Sequence, residues 1–181
     1  MRINCIFDNG KENLFFIIGN SYADHVVPAF SFIKENSAFY KSRFENCYII
    51  ISDKCNDKSK DIINNFNRIS NDFNNKYFIY SLNGRNISTI KLKENLNYLN
   101  DDTKIIFIYP HPTFKIFNND KLMSKYKEIK KLDFKKIKLL SENFEIITID
   151  VFTILCNNKL CNKKNYESLF TDGSHFKVQT N

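Results

Sequence analysis

Five short apolar runs alternate with four longer segments of helical periodicity along the 181 residues of this chain. The runs are rich in Ile and Phe and nearly continuous, which is typical of strands buried on both faces of a parallel sheet. They are Leu14–Ile18, Tyr48–Ile51, Tyr77–Tyr80, Lys104–Tyr109 and Glu145–Ile149. The helical segments are Asp24–Lys34, Asp57–Phe73, Ser88–Leu99 and Asp120–Leu140. This alternation predicts one α/β domain, a three-layer sandwich around a five-stranded, mainly parallel sheet.

The residues that directly follow the predicted strands are the first candidates for a site, because ligands of such folds bind beyond the carboxyl ends of the strands. They are Asn20-Ser21-Tyr22, Ser52-Asp53, Asn83-Gly84-Arg85, Tyr109-Pro110-His111 and the segment after Asp150. Ser21 stands at the corner between the first strand and the first helix, where backbone N–H groups without helical partners can stabilise an oxyanion. Ser21 is therefore either a nucleophile at the rim of the sheet or an N-cap of the helix.

A serine nucleophile requires a base that takes its proton. His25 lies about one helical turn beyond Ser21 and is the weaker candidate, since nucleophile and base usually meet through the fold. The stronger candidate is the turn Thr171-Asp172-Gly173-Ser174-His175, in which a carboxylate close to an imidazole can fix its tautomer. The alternative is an ordinary Asp-Gly turn with a surface histidine. We expect Ser21, His175 and Asp172 to meet as a triad.

The cysteines and histidines do not predict a metal site. The five cysteines form no CxxC pair, and the three histidines are scattered along the chain. Cys156 and Cys161 are separated by a polar gap of four residues. That spacing can close a small disulfide in an oxidising compartment, and elsewhere both thiols would remain reduced.

Several landmarks resemble, in chain order, the SGNH (GDSL-like) hydrolase family. The resemblance is closest to the SGNH domain at the C-terminal end of membrane acyltransferase-3 proteins, which O-acylate cell-surface sugars. The matching residues are Gly19-Asn20-Ser21-Tyr22-Ala23 followed by Pro28, Ile108-Tyr109-Pro110-His111-Pro112, the pair Cys156 and Cys161, Cys5 and Cys55 around the first two predicted strands, and Asp172-Gly173-Ser174-His175.

The resemblance implies a flavodoxin-like SGNH fold and a serine-dependent O-acyl transferase or esterase, acetyl by default, that acts on carbohydrate of the bacterial cell envelope. Ser21 would be the nucleophile, His175 the base and Asp172 its orienting partner. Oxyanion or substrate-binding roles are implied for Asn20, Tyr22, Gly84 and Arg85, without a cofactor. A periplasmic location, a membrane acyltransferase domain as partner in cis or trans, and disulfides Cys156–Cys161 and Cys5–Cys55 are also implied.

Three departures from the family pattern weaken the expected activity. Asn20 replaces the usual Asp of the first block, Pro110-His111-Pro112 replaces the block with an oxyanion asparagine, and Arg85 lacks the tryptophan often found beside it. Losing one oxyanion donor costs about 10²–10³ in turnover. We also expect residues 1–181 to lack the family's last helix and its upstream membrane domain. The alternative function is a catalytically weak or inactive carbohydrate-binding accessory domain of a membrane acyltransferase.

The net charge of +7 makes anionic partners worth testing. Much of the positive charge falls between Lys115 and Lys138, where apolar residues recur at helical spacing. This predicts an amphipathic helix with a solvated lysine face, and less favourably a binding patch. Nucleic acid is not an expected partner, because no recognised motif or basic-aromatic interleaving is present. No stretch reaches the ~20 apolar residues of a membrane span, and no signal peptide is visible.

Overall fold

The computed structural model describes residues 3–19, 23–24, 27–43, 56–81, 88–110 and 112–157. These residues form a six-stranded sheet with the order β1-β3-β2-β4-β5-β6. The strands are β1 (Ile3–Asp8), β2 (Asn13–Gly19), β3 (Ser37–Arg43), β4 (Asn75–Ser81), β5 (Thr103–Tyr109) and β6 (Ile146–Asp150). Only the pair β1 and β3 is antiparallel, and the other neighbours are parallel. The predicted α/β fold with a mainly parallel sheet is confirmed.

Five α-helices and one 3-10 helix, Val27–Ile33, accompany the sheet in the described part of the chain. The helices are α1 (Asn56–Ser70), α2 (Thr89–Leu96), α3 (Phe114–Phe117), α4 (Asp120–Leu140) and α5 (Val151–Asn157). Asn119 and Ser88 each accept a hydrogen bond from a backbone N–H in the first turn of α4 and α2. These N-caps satisfy donors that the helix itself leaves without partners. They explain why the sequence predicts the starts of both helices closely.

The sheet has six strands, whereas the sequence predicts five. The predicted strand Tyr48–Ile51 lies outside the described residues, and the strand beside β2 is β3, which contains Lys41 and Arg43. Neither β1 nor β3 is a continuous apolar run, because β1 is a largely exposed edge strand and β3 lies next to it. β1 is largely exposed, while β3 is mostly buried but places small and polar residues such as Ser37 and Ser42 at buried positions, so neither strand has the apolar run of a central parallel strand.

The five parallel strands lie in the order β3-β2-β4-β5-β6. Numbered among themselves along the chain, they follow the flavodoxin-like order 2-1-3-4-5, with the topological switch point between β2 and β4. Ligands of doubly wound sheets bind in the crevice outside the carboxyl ends at that point. The fold therefore directs attention to the ends of β2 and β4, at Gly19 and Ser81.

Apolar side chains fill both faces of the sheet. One face packs against α1, α2 and α4, and Phe16, Phe66 and Phe78 form its aromatic centre with ring centroids 4.9–5.6 Å apart. All three side chains are fully buried, which contributes about 1.5–3 kcal/mol for each ring. On the other face, Phe30 of the 3-10 helix contacts Phe15 and Phe39.

A membrane-spanning helix does not occur in the described part of the chain. Its helices are too short or too polar to cross a bilayer. The longest helix, α4, contains numerous lysines.

Candidate active site

The carboxyl ends of β2 and β4 touch each other at the switch point. A Cβ atom added at Gly19 would lie 2.9 Å from the Cβ of Ser81 and 3.1 Å from its carbonyl oxygen. The same atom would lie 2.9 Å from the Cβ of Ala23, a residue with no exposed surface. Real Cβ contacts essentially never fall below 3.0 Å. Glycine is therefore required here so that the chain can fold back over the end of β4.

An ion pair holds the helical residues that follow Gly19 against β3. Ala23 and Asp24 are helical, and the Asp24 carboxylate pairs with Lys41 on β3. Lys41 lies beside Ile17 of β2 in the parallel register. The side chains of Lys41 and Asp24 are 14% and 35% exposed, so the pair is only partly screened by water. The segment between Gly19 and Ala23 is thus held at both described ends.

A buried hydrogen bond supports the carboxyl end of β5. The hydroxyl of Tyr109 donates to Asp133 of α4 at 3.0 Å, and neither residue has exposed surface. Burial and the nearby Asp133 carboxylate both raise the pKa of Tyr109 well above its ordinary value. Tyr109 therefore remains protonated and acts as a hydrogen-bond donor at physiological pH.

The loop after β5 is held to the same helix by a second tyrosine. The hydroxyl of Tyr126 on α4 donates to the carbonyl oxygen of Pro110 at 2.7 Å. Proline has no backbone N–H to donate, so Pro110 can be held by a backbone hydrogen bond only through its carbonyl oxygen. Tyr109 and Pro110 are the first residues of the landmark Tyr109-Pro110-His111-Pro112, of which His111 lies outside the described residues.

A third polar contact lies at the carboxyl end of β6. Asp150 accepts hydrogen bonds from the Lys130 ammonium at 2.8 Å and from the Thr153 hydroxyl at 2.6 Å. It also accepts from the Thr153 backbone N–H at 3.2 Å and so caps α5. Burial would raise the pKa of Asp150, but the hydrogen bonds from Lys130 and Thr153 and the Lys130 charge hold that pKa below its ordinary value.

Aromatic rings complete the surroundings of Lys130. Its ammonium lies 5.6 Å from the ring centroid of Phe152 and 5.8 Å from that of Tyr126. Both distances are within the range of cation–π attraction. The carboxyl ends of β5 and β6 are therefore joined through α4 by one connected set of polar and aromatic contacts.

Most of the residues that the sequence predicts for the site lie outside the described part of the chain. They are Asn20, Ser21, Tyr22, Gly84, Arg85, Asp172 and His175, together with His25. The described structure does establish the position of Gly19, the residue that precedes Asn20-Ser21 in the chain, at the switch point. The meeting of Ser21 with His175 and Asp172 stays a prediction.

The cysteines give two different outcomes. Cys156, near the end of α5, is disulfide-bonded, while Cys161 lies outside the described residues, so the pairing of the two stays a prediction. The second disulfide, Cys5–Cys55, is wrong because Cys5 is a free and exposed thiol. Cys5 lies on edge strand β1 opposite Tyr40, whose hydroxyl donates a hydrogen bond to Asp8 at 3.3 Å. Burial, Asp8 and Cys5 together raise the pKa of Tyr40 to about 12.

No group of three or more His, Cys, Asp or Glu side chains suited to a metal ion occurs among the residues that the structure covers. The polar groups near the strand ends are instead paired with one another or with the backbone. The side chains described at this edge thus hold the ends of β5 and β6 to α4.

Comparison with known families decides the classification. The family model of the SGNH domain fused to AT3 domains matches residues 2–177. The chain belongs to this SGNH family. A search of curated proteins finds none that matches it.

Membership in the SGNH family indicates a function of the hydrolase or acyltransferase type. The fusion to AT3 domains in the family indicates a membrane acyltransferase as partner. The close contacts at Gly19 explain why a glycine stands at this position in this SGNH domain. At this position any side chain would collide with the end of β4.

Sequence reasoning missed three residues whose contacts support the carboxyl edge of the sheet: Lys130, Asp133 and Asp150 in its capping role. A signal for Asp133 was present, because it shares a helical spacing with the buried residues Tyr126, Ile137 and Leu140. An acidic residue on the apolar side of a helix requires a polar partner in the core. The identity of that partner, Tyr109, depends on the contact between α4 and β5 and cannot be read from spacing.

Proposed function

We propose that this SGNH domain is a serine-dependent O-acyl transferase or esterase that acts on cell-surface carbohydrate, with acetyl as the default acyl group. Ser21 forms the acyl-enzyme, His175 is the general base and Asp172 orients His175. Asn20, Tyr22, Gly84 and Arg85 bind the oxyanion or the substrate. A membrane acyltransferase domain supplies or receives the acyl group, which places the reaction outside the cytoplasm.

The observation that supports this proposal most directly is the contact of Gly19 with Ser81 at the switch point. β2 ends at Gly19, two residues before Ser21 in the chain, at the switch point where doubly wound folds bind their ligands. The family match covers residues 2–177 and so includes this segment, which resembles the first block of the SGNH hydrolases. Support from α4 at the ends of β5 and β6 keeps the same edge rigid.

The proposed reaction proceeds in two steps that conserve atoms and charge. The Ser21 Oγ attacks the acyl carbonyl carbon while its proton passes to His175, and backbone N–H groups stabilise the oxyanion. The bond from the acyl carbon to the donor oxygen then breaks, and His175 returns the proton to that oxygen. In the second step a sugar hydroxyl or water gives its proton to His175 and attacks the acyl carbon. The bond from that carbon to the Ser21 Oγ then breaks, and His175 returns the proton to the Oγ.

Hydrolysis of p-nitrophenyl acetate and of an acetylated glycan by the purified protein tests the proposal. Ser21→Ala should reduce turnover by about 10³-fold or more, because the nucleophile is lost. Ser141→Ala is the matched control, since Ser141 caps the distant C-terminal end of α4. Circular dichroism should show that both variants remain folded.

Labelling by a fluorophosphonate probe separates the enzyme from the accessory domain. An enzyme should be labelled at Ser21, and the label should disappear in Ser21→Ala. Equal turnover of the parent and Ser21→Ala would refute the assignment of the nucleophile. Glycan binding without labelling would instead select the carbohydrate-binding module, which the replacement of Asp by Asn20 favours.

A further inference from the structure

The outer face of α4 is predominantly basic. Six exposed lysines lie on it, and we call them the lysine face: Lys121, Lys125, Lys127, Lys131, Lys135 and Lys138. The acidic residues of α4 are Asp120 at its first position, Glu128 and the buried Asp133. A helix of this length extends about 30 Å, so the lysine face is a long stripe of unbalanced positive charge.

The members of the lysine face lack the ion-pair partners that several other lysines of the described structure have. Lys11, Lys41, Lys76, Lys91, Lys104 and Lys130 each form an ion pair with Asp or Glu. Across the described ranges, none of the six members of the lysine face forms one. Their charge is therefore not neutralised within this part of the protein and is available to an external anion.

Two leucines lie exposed beside the lysines. Leu132 is 49% exposed and Leu139 is 56% exposed, and their spacing of seven residues places them on one line along the helix. The sequence pattern counts Leu132 among the apolar positions of the inner face, whereas the structure places it outside. Basic side chains attract anionic lipid and exposed apolar side chains gain from burial at the headgroup boundary, so the two together favour binding at a membrane interface.

We propose that the lysine face binds the surface of an anionic lipid bilayer, with Leu132 and Leu139 entering the headgroup region. The charge complements anionic lipid headgroups, and each lysine near such a surface strengthens partitioning about fivefold. Nucleic acid fits less well, because α4 contains no arginine and its aromatic residues are at least half-buried. The family's fusion to AT3 domains indicates that such a domain works next to a membrane.

This binding does not depend on the proposed chemistry of Ser21. The lysine face lies on a helix that packs on one face of the sheet, whereas Gly19 lies at the carboxyl edge. Binding would lay α4 along the bilayer, and the strands that it packs against would run beside the membrane. Loss of esterase activity and loss of lipid binding are therefore separable by mutation.

Co-sedimentation of the full chain with vesicles tests the proposal. Vesicles of equimolar phosphatidylcholine and phosphatidylglycerol should bind the protein, and binding should fall steeply as salt rises. Vesicles of phosphatidylcholine alone should bind it weakly. The triple variant Lys125→Gln, Lys131→Gln and Lys135→Gln should lose about 100-fold in partitioning, and the corresponding arginine variant should retain it.

A second triple variant controls for total charge. Lys34→Gln, Lys60→Gln and Lys93→Gln remove the same charge from exposed lysines outside α4 and should leave most of the binding intact. Leu132→Ser with Leu139→Ser should weaken the binding that persists at high salt. Equal loss in both triple variants would overturn the proposal. Tighter binding to single-stranded DNA than to the anionic vesicles would also overturn it, in favour of a nucleic-acid partner.

Discussion

Tyr109 at the end of β5 and Asp133 in the middle of α4 share a hydrogen bond of 3.0 Å that is sealed from water. The bond links the sheet edge that bears the candidate site to the helix that bears the lysine face. A hydrogen bond to an acidic side chain is stronger than one between neutral groups, and it costs more when one partner is removed. This relationship leads to the first prediction.

Tyr109→Phe should lower the free energy of unfolding by about 1–3 kcal/mol, because Asp133 loses a buried donor. Tyr80→Phe is the matched variant, since the buried Tyr80 hydroxyl has no hydrogen-bond partner among the residues that the structure describes. Removing that hydroxyl should be neutral or stabilising. Urea unfolding of both variants measures the difference. If Tyr80→Phe proves as harmful as Tyr109→Phe, the hydrogen bond to Asp133 is not what stabilises this edge.

Gly19→Ala should destabilise the protein by about 1–3 kcal/mol, because the new Cβ meets Ala23 and the end of β4 within an overfilled space. Adding Ser81→Gly removes the Ser81 Cβ, one of the close contacts, and should restore part of the loss. Thermal unfolding of the single and double variants measures the coupling. Strictly additive effects would show that the two residues do not compete for the same space.

The Lys130–Asp150 pair should stabilise the protein at neutral pH and lose its effect in acid. The hydrogen bonds from Lys130 and Thr153 and the Lys130 charge hold the folded pKa of Asp150 below its ordinary value. Its stabilisation is therefore complete above the unfolded pKa and declines as the pH falls through the folded pKa. Asp150→Asn keeps an N-cap but removes the charge, so it should cost about 1–3 kcal/mol at pH 7.

Unfolding at a series of pH values measures this dependence. The difference between the parent and Asp150→Asn should shrink steadily below about pH 4, where the carboxylate becomes protonated. Asp101→Asn is the control, because Asp101 is exposed and forms no ion pair in the described ranges. Its effect should stay within about 0.5 kcal/mol at every pH. A constant difference for Asp150→Asn would contradict a role for its charge.

Alkylation of the native protein should distinguish Cys5 from Cys156. Cys5 is free and exposed, so iodoacetamide should modify it without reductant. Cys156 is disulfide-bonded and should be modified only after reduction. Peptide mapping by mass spectrometry identifies the modified residues and the partner of Cys156. Unreduced protein that is modified at Cys156 would contradict the disulfide.

Central elements of the fold are predictable because their residues carry local signals. Continuous apolar runs predict β4 and β5, and helical periodicity with an N-cap predicts α2 and α4. Strands β1 and β3 carry no such local signal. The burial of Phe39 and Ala38 in β3 depends on neighbouring strands rather than on a continuous apolar run. Their exposed and charged residues resemble those of loops when considered alone.

The sequence by itself determined the α/β alternation, the family landmarks and the likeness of Gly19-Asn20-Ser21 to a hydrolase block, since these features reside in residues adjacent along the chain. Tertiary structure alone decided that Gly19 abuts Ser81, that Tyr109 satisfies Asp133 and that Cys5 remains unpaired. These contacts join residues from separate elements. Which distant groups meet depends on strand order and helix packing, and local sequence patterns do not specify either.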